Sequence, residues 1–300
     1  MKDWKLSEQY AIVALNGLES LHASMAKDAV LRGIAAAKVL EPYIGEEDSV
    51  FLTKLEEAVE RAKSIKKKEK KELEEEMTAV LKAEGILEIV PDLLGCDMDY
   101  YTSGVELKAY RSEESIYLRI REGLRAEILE EGEISRECAL ILWLFRESGC
   151  IHDLFSVEEQ NKVQRRMLDM TAQEPIVQEL WQSEFYSAVE KFVEKFLRTK
   201  RNLFKNPYLQ GVNLVFPFLE RRSAIFIDFV VFGTDVKSRR IAVMEHLVSF
   251  GHYVEEVKLG SETLLKIDNA YYRIFPRTKM GVGYKFRVPI QGVSLVPVYW

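Results

Sequence analysis

The side chains that could serve as nucleophiles, bases or metal ligands are sparse in this 300-residue chain. They are four histidines (His22, His152, His246, His252) and three cysteines (Cys96, Cys138, Cys150). Cys150-Ile151-His152 is the closest Cys/His pair. Residues two apart on a helix point away from each other, so a thiolate–imidazole dyad would need a turn at this point. The plainer reading is a helix C-terminus, with Gly149 as the cap and Cys150 as a small apolar filler. His246 and His252 flank Gly251, and a zinc site there would need two further ligands that the nearby sequence does not supply. The chain has no phosphate-cradling Walker loop, dinucleotide fingerprint or nucleophile elbow. These residues therefore predict a non-enzymatic protein with no cofactor and no metal.

Binding chemistry is better represented. Lys63, Lys66, Lys67, Lys68, Lys70 and Lys71 form a dense basic run in a chain whose net charge is −6. The run can be a solvated helix face paired with nearby glutamates, or a surface that meets lipid phosphates. Glu56, Glu57, Glu60, Glu72, Glu74, Glu75 and Glu76 read as solvated helix faces. In Val90-Pro91-Asp92-Leu93-Leu94-Gly95-Cys96, two leucines fall at the expected tip of a hairpin, where polar residues are the rule. Leu93 and Leu94 must be covered by the fold, a partner or lipid. Burial in lipid would contribute roughly 3–6 kcal/mol for the two side chains. A second basic set, Arg198, Lys200, Arg201 and Lys205 with Lys237, Arg239 and Arg240, is interleaved with Phe204 and Tyr208. Nucleic-acid binding through it requires the basic residues to gather on one sheet face, and the net charge makes nucleic acid the less expected partner.

The elements that must position these groups divide the chain in two. Residues 1–197 carry a net charge of −14 and residues 198–300 a net of +8. The first part has helical periodicity over Ser7–Ser20, Ser24–Leu40, Ser49–Ile65, Lys66–Glu84, Ser112–Glu131, Ser135–Ser148, Ser156–Met170 and Glu174–Thr199, with a hairpin or extended loop over Ile86–Thr102. The second part reads as strands at Leu214–Phe218, Ile225–Phe232, Tyr253–Lys258, Thr263–Ile267, Tyr271–Phe275, Tyr284–Val288 and Val293–Tyr299, with a helix over Asp235–Phe250. The expected fold is mostly α: an all-α domain over 1–197 with a short hairpin, a basic linker over 198–206, and a small α+β domain over 207–300. No run of about 18 apolar residues is present and the N-terminus does not read as a signal peptide. With three cysteines and no disulfide framework, the chain is expected in a reducing, cytoplasmic setting, soluble or peripheral to a membrane.

Four stretches resemble the Golgi phosphoprotein 3 family over about residues 5–195. They are Leu6-Ser7-Glu8-Gln9-Tyr10 into Ala14-Leu15; Leu31-Arg32-Gly33 with the Ala-rich helix to Leu40-Glu41; Leu81-Lys82-Ala83-Glu84-Gly85-Ile86-Leu87; and Ala139–Leu144 through Ser148-Gly149-Cys150-Ile151 and Val157-Glu158-Glu159-Gln160 to Arg165-Arg166. The resemblance implies a helical domain that binds phosphatidylinositol 4-phosphate at membranes, with protein tails as further partners and no catalysis. It places headgroup contacts on Arg32 and Lys71 and membrane insertion on Leu93 and Leu94. A second phosphate-contacting arginine of the family falls on Glu74, and the family's tryptophan has no counterpart, with Ala23 near its place. The expected function is a peripheral membrane or adaptor protein that binds an anionic, phosphoinositide-like headgroup. The alternatives are a soluble protein-interaction scaffold or a nucleic-acid-binding protein.

Overall fold

The computed structural model describes residues 4–21, 24–98, 106–186, 222, 224–228, 235–258, 263–282 and 287–298. The expected strand at Leu214–Phe218 and the linker at 198–206 lie outside them. The helical part comprises α1 (Leu6–Ala14), α2 (Met25–Leu40), α3 (Asp48–Ser64), α4 (Lys67–Ala83), α5 (Glu114–Leu129), α6 (Arg136–Glu147), α7 (Ile151–Leu154), α8 (Val157–Thr171) and α9 (Pro175–Gln182). Between α4 and α5 stand two paired strands, β1 (Leu87–Pro91) and β2 (Lys108–Ser112). Capping is local and legible: Ser24, Ser135 and Ser156 each accept the backbone N–H three residues on. Gly85 and Gly149 take positive φ after α4 and α6. The core is built around α1, whose face from Leu6 to Leu15 is almost wholly buried, and α6, with Trp143 and Phe145 fully enclosed.

Among the described residues, the C-terminal part is a five-stranded antiparallel sheet with one helix. Its strands are β3 (Ile225–Ile227), β4 (Val254–Lys258), β5 (Thr263–Ile267), β6 (Ala270–Val282) and β7 (Arg287–Val298), in the spatial order β3-β7-β6-β5-β4. The helix α10 (Val236–Ser249) lays Val243 and Leu247 on one sheet face, against Ile225, Ile227, Leu265, Ile267, Tyr272, Ile274, Val293 and Leu295. The fold is thus mostly α with a small α+β part, as the periodicity indicates.

Four details differ from the sequence expectation. Helix α1 ends at Ala14, because Gly17 takes φ 75° and turns the chain along β2, where Gly17 N–H donates to the Tyr110 carbonyl and Tyr110 N–H to Leu18. Helix α9 stops at Gln182, and residues 187–199 of the expected helix lie outside the described residues. Buried Glu147 accepts the N–H groups of Phe185 and Tyr186, and Trp143 Nε1 donates to the Ser183 carbonyl, so tertiary partners take backbone groups that a longer helix would have used. The hairpin's second arm begins at Lys108, beyond the expected end at Thr102. Finally, the two strands expected after Tyr284 are one, β7, paired along its length with β6.

Candidate functional site

The basic run is placed where two helices meet. Helix α3 ends at Ser64, Ile65 buries its side chain at the bend, and α4 starts at Lys67. The segment Arg61–Lys71 therefore forms a protruding corner that carries seven basic residues and one acid, Glu69. Lys63, Lys66, Lys67, Lys68 and Lys71 are exposed, with side-chain exposures of 88% at Lys68 and 77% at Lys71. Glu69 is used internally: it accepts the Lys66 N–H and pairs with Arg61 across the bend at 2.9 Å, contacts that hold its carboxyl below the usual range. Three further pairs, Lys63–Glu60 at 3.5 Å, Lys68–Glu72 at 3.7 Å and Lys71–Glu75 at 3.6 Å, are long and solvated. Such pairs are worth about 0–1 kcal/mol, so they do not hold the ammonium groups away from another anion. Free N–H groups at the start of α4 add to the positive potential.

Arg32 underpins the corner from α2. Its Nε donates to Asp28 at 2.8 Å and its Nη1 to the carbonyls of Ala62 (2.6 Å) and Lys63 (2.8 Å), which closes the C-terminus of α3. Lys70 pairs with the other Asp28 oxygen. Burial alone would raise the Asp28 carboxyl, but its bonds to Arg32 and Lys70 outweigh burial and hold it below its ordinary value. The Tyr186 ring lies 5.3 Å from the Arg32 guanidinium. Its hydroxyl is pushed up by burial and by the Asp28 charge. Arg32 is thus joined to the C-terminus of α3 and, through Asp28, to Lys70, while Lys71 projects to solvent beside Glu75. Three of the Arg32 hydrogen bonds are structural and leave only Nη2 without a protein acceptor among the described residues. Sequence reasoning missed Tyr186. It stands 154 positions after Arg32, and only the anchoring of its N–H by Glu147 brings it there.

Glu74 does not face this corner. It is buried, pairs with Lys27 at 2.6 Å and accepts the Tyr110 hydroxyl at 2.7 Å. Reading it as a solvated helix residue, or as an anion beside a phosphate, is corrected by that placement. Position 74 falls one turn beyond Lys70 on the inner side of α4, where the Lys27 ammonium and the Tyr110 hydroxyl both serve the carboxylate.

Leu93 and Leu94 lie elsewhere. They begin a short 3-10 turn (Leu93–Cys96), capped by Asp92, whose Oδ1 accepts the Leu94 N–H at 2.8 Å. Both side chains are half-buried against the C-terminal sheet core, and Cys96 behind them is fully enclosed. They are not the exposed tip expected for membrane insertion, because protein already covers much of their apolar surface. They line a cleft of about 120 Å3 at the junction of the two parts, together with Asn16, Arg111, Arg222 and Asp268.

That junction is polar and tightly bonded. Asn16 Oδ1 accepts from Ser112 N–H and from Asn269 Nδ2, both at 3.0 Å. Arg111 donates to Glu88 at 2.7 Å and Asp268 at 2.8 Å, and Asp268 also pairs with His252 Nδ1 at 2.9 Å. His252 is thus held at the junction, and among the described residues no group of histidine, cysteine and acidic side chains could hold a metal ion. Cys150 is buried beside Ser148 at the start of α7, and burial pushes the Cys96 and Cys138 thiols up to about 12, far from a reactive thiolate. No helix among the described residues is long and apolar enough to cross a membrane. Comparisons with protein-family models, curated proteins and solved structures find no match to this chain.

Proposed function

We propose that this protein is a non-enzymatic peripheral membrane or adaptor protein that binds an anionic, phosphoinositide-like headgroup at the α3–α4 corner. The observation that carries the reading is the concentration of exposed lysines at 63, 66, 67, 68 and 71 around a helix N-terminus, with Arg32 Nη2 beneath them. Phosphate is the ligand that such a set recognises best: several point charges surround one donor from a fixed guanidinium. The resemblance to the Golgi phosphoprotein 3 family points to the same ligand class. Because Leu93 and Leu94 already pack on the sheet, attachment in this reading is chiefly electrostatic and reversible, with a steep salt dependence.

Each lysine near an anionic surface contributes about 1 kcal/mol. Reversing three of them (K66E/K67E/K68E) is expected to weaken co-sedimentation with phosphatidylinositol 4-phosphate vesicles by at least about 100-fold. Vesicles of phosphatidylcholine alone should leave the wild type in the supernatant. Equal sedimentation of wild type and triple variant would defeat the proposal.

A further inference from the structure

The C-terminal sheet has a second face, opposite α10, with a composition unlike the first. Side chains alternate across a strand, so Tyr271, Arg273, Phe275, Arg277 and Lys279 on β6 share this outer face. The pairing register adds Phe226 of β3 and Ser294 of β7 beside Phe275, Leu264 of β5 beside Arg273, and Ile290 of β7 beside Lys279. Along β6 the face alternates aromatic and cationic groups from Tyr271 to Arg277 and ends on a second cation, Lys279. Its Tyr271 end is closed by the helical part, since Lys266 pairs with Glu114 and Tyr271 lies beside Arg121. Beyond it the exposed part is the β6 strip: Arg273 is exposed, Phe275 is 44% exposed and Arg277 and Lys279 are half-exposed, whereas Phe226 and Ser294 beside them are buried.

Three features suit this open stretch to a flexible polyanion with aromatic faces. Phe275 presents an unburied ring between two arginines. Arg277 is half-buried, makes no ion pair or hydrogen bond among the described residues, and has its guanidinium value lowered by desolvation. A nearby phosphate would relieve that condition. Gly292, opposite Arg277, has no side chain because a Cβ would lie 2.1 Å from the Ile227 carbonyl oxygen and 2.9 Å from the Phe226 ring. The Phe226 ring thus packs against Gly292, with the Lys279 ammonium 5.6 Å from its ring centre. Among the described residues, the acid that the register places on this face is Glu255, at the β4 edge beside Lys266.

From this placement we infer that the outer face of the C-terminal sheet binds single-stranded nucleic acid, with a base stacked on Phe275 and phosphates on Arg273, Arg277 and Lys279. Single strands fit where duplexes do not. An unpaired base offers a π-face to an exposed ring, and the backbone can follow cations spaced two residues apart on a strand. This site is separate from the α3–α4 corner.

The test is fluorescence anisotropy of the full-length protein with a labelled oligouridylate at low salt. Wild type is expected to bind, with a log–log salt slope on the order of −2 for three phosphate contacts. F275A should weaken binding about tenfold and F275Y should retain it, a pattern that a folding defect would not give. R273A/R277A should lower both affinity and salt slope. The inference is overturned if wild type does not bind, if F275A binds as wild type does, or if a duplex of the same length competes equally. Loss of vesicle co-sedimentation in R273A/R277A without any oligonucleotide binding would also overturn it, by assigning the face to membrane.

Discussion

Removing Glu74 gives the sharpest test of how the helical part is held together. Lys27 on α2 and Glu74 on α4 meet at 2.6 Å, with side-chain exposures of only 7% and 12%, and Tyr110 of β2 donates to the same carboxylate. The pair therefore ties two helices to the hairpin through one buried charge. Glu74→Ala strips a buried ammonium of its counter-charge, a change that typically costs about 3–5 kcal/mol. A buried lysine can instead shed its proton. At pH 7 this caps the loss at about 5 kcal/mol, given the ordinary lysine value near 10.4 and about 1.4 kcal/mol per unit. At pH 9 the same cap falls to about 2 kcal/mol, so the penalty of Glu74→Ala should shrink as pH rises. The double variant Lys27→Met with Glu74→Leu removes both charges and fills the space. It is expected to lie within about 1 kcal/mol of wild type, since apolar replacements of buried pairs are often neutral. Denaturant titrations of wild type, Lys27→Met, Glu74→Leu and the double variant measure the coupling, with Glu74→Ala titrated beside them at pH 7 and pH 9. The argument fails if Glu74→Ala loses less than about 1 kcal/mol at pH 7, or if the double variant is as unstable as the sum of the single changes.

Two further outcomes follow from the packing. Gly33→Ala would place its Cβ 2.3 Å from the hydroxyl oxygen of Tyr10, a fully buried ring with no room to move, so it should destabilise the protein by about 1–3 kcal/mol or more in thermal denaturation; a wild-type melting temperature would show that the ring can yield. At the junction, burial would raise the Asp268 carboxyl, but His252 and Arg111 outweigh burial and hold it below its ordinary value. A depressed carboxyl contributes stability above its unfolded value near 3.9, and that contribution is lost as pH falls through the lower folded value. Asp268→Asn should therefore lower stability at pH 5–7 and converge on wild type at pH well below about 4; a difference that stays constant across that range would remove the charge from the explanation.

Much of the architecture was legible in the chain because it rests on local rules. Hydrophobic periodicity, serine caps and positive-φ glycines place most of the helices within a few residues, and alternation places β5 at its observed limits and β4 within one residue. The basic corner was equally legible, since six lysines within nine positions around a helix start cannot all be buried. Four things were decided only in three dimensions. Burial sorted Glu74, on the inner side of α4, from Glu75 and Glu76 on the outer side, although all three read alike in a charged run. Contact with a sheet more than 130 residues away covered Leu93 and Leu94, which no local pattern announces. Tyr186 reached Arg32 because Glu147 fixes its backbone. The alternation of aromatic and basic residues in β6 became one face only when pairing with β7 set its register and α10 took the opposite side. Sequence determines which elements form, because their hydrogen bonds are local. Which side of each element remains for function is settled by what the rest of the chain packs against it.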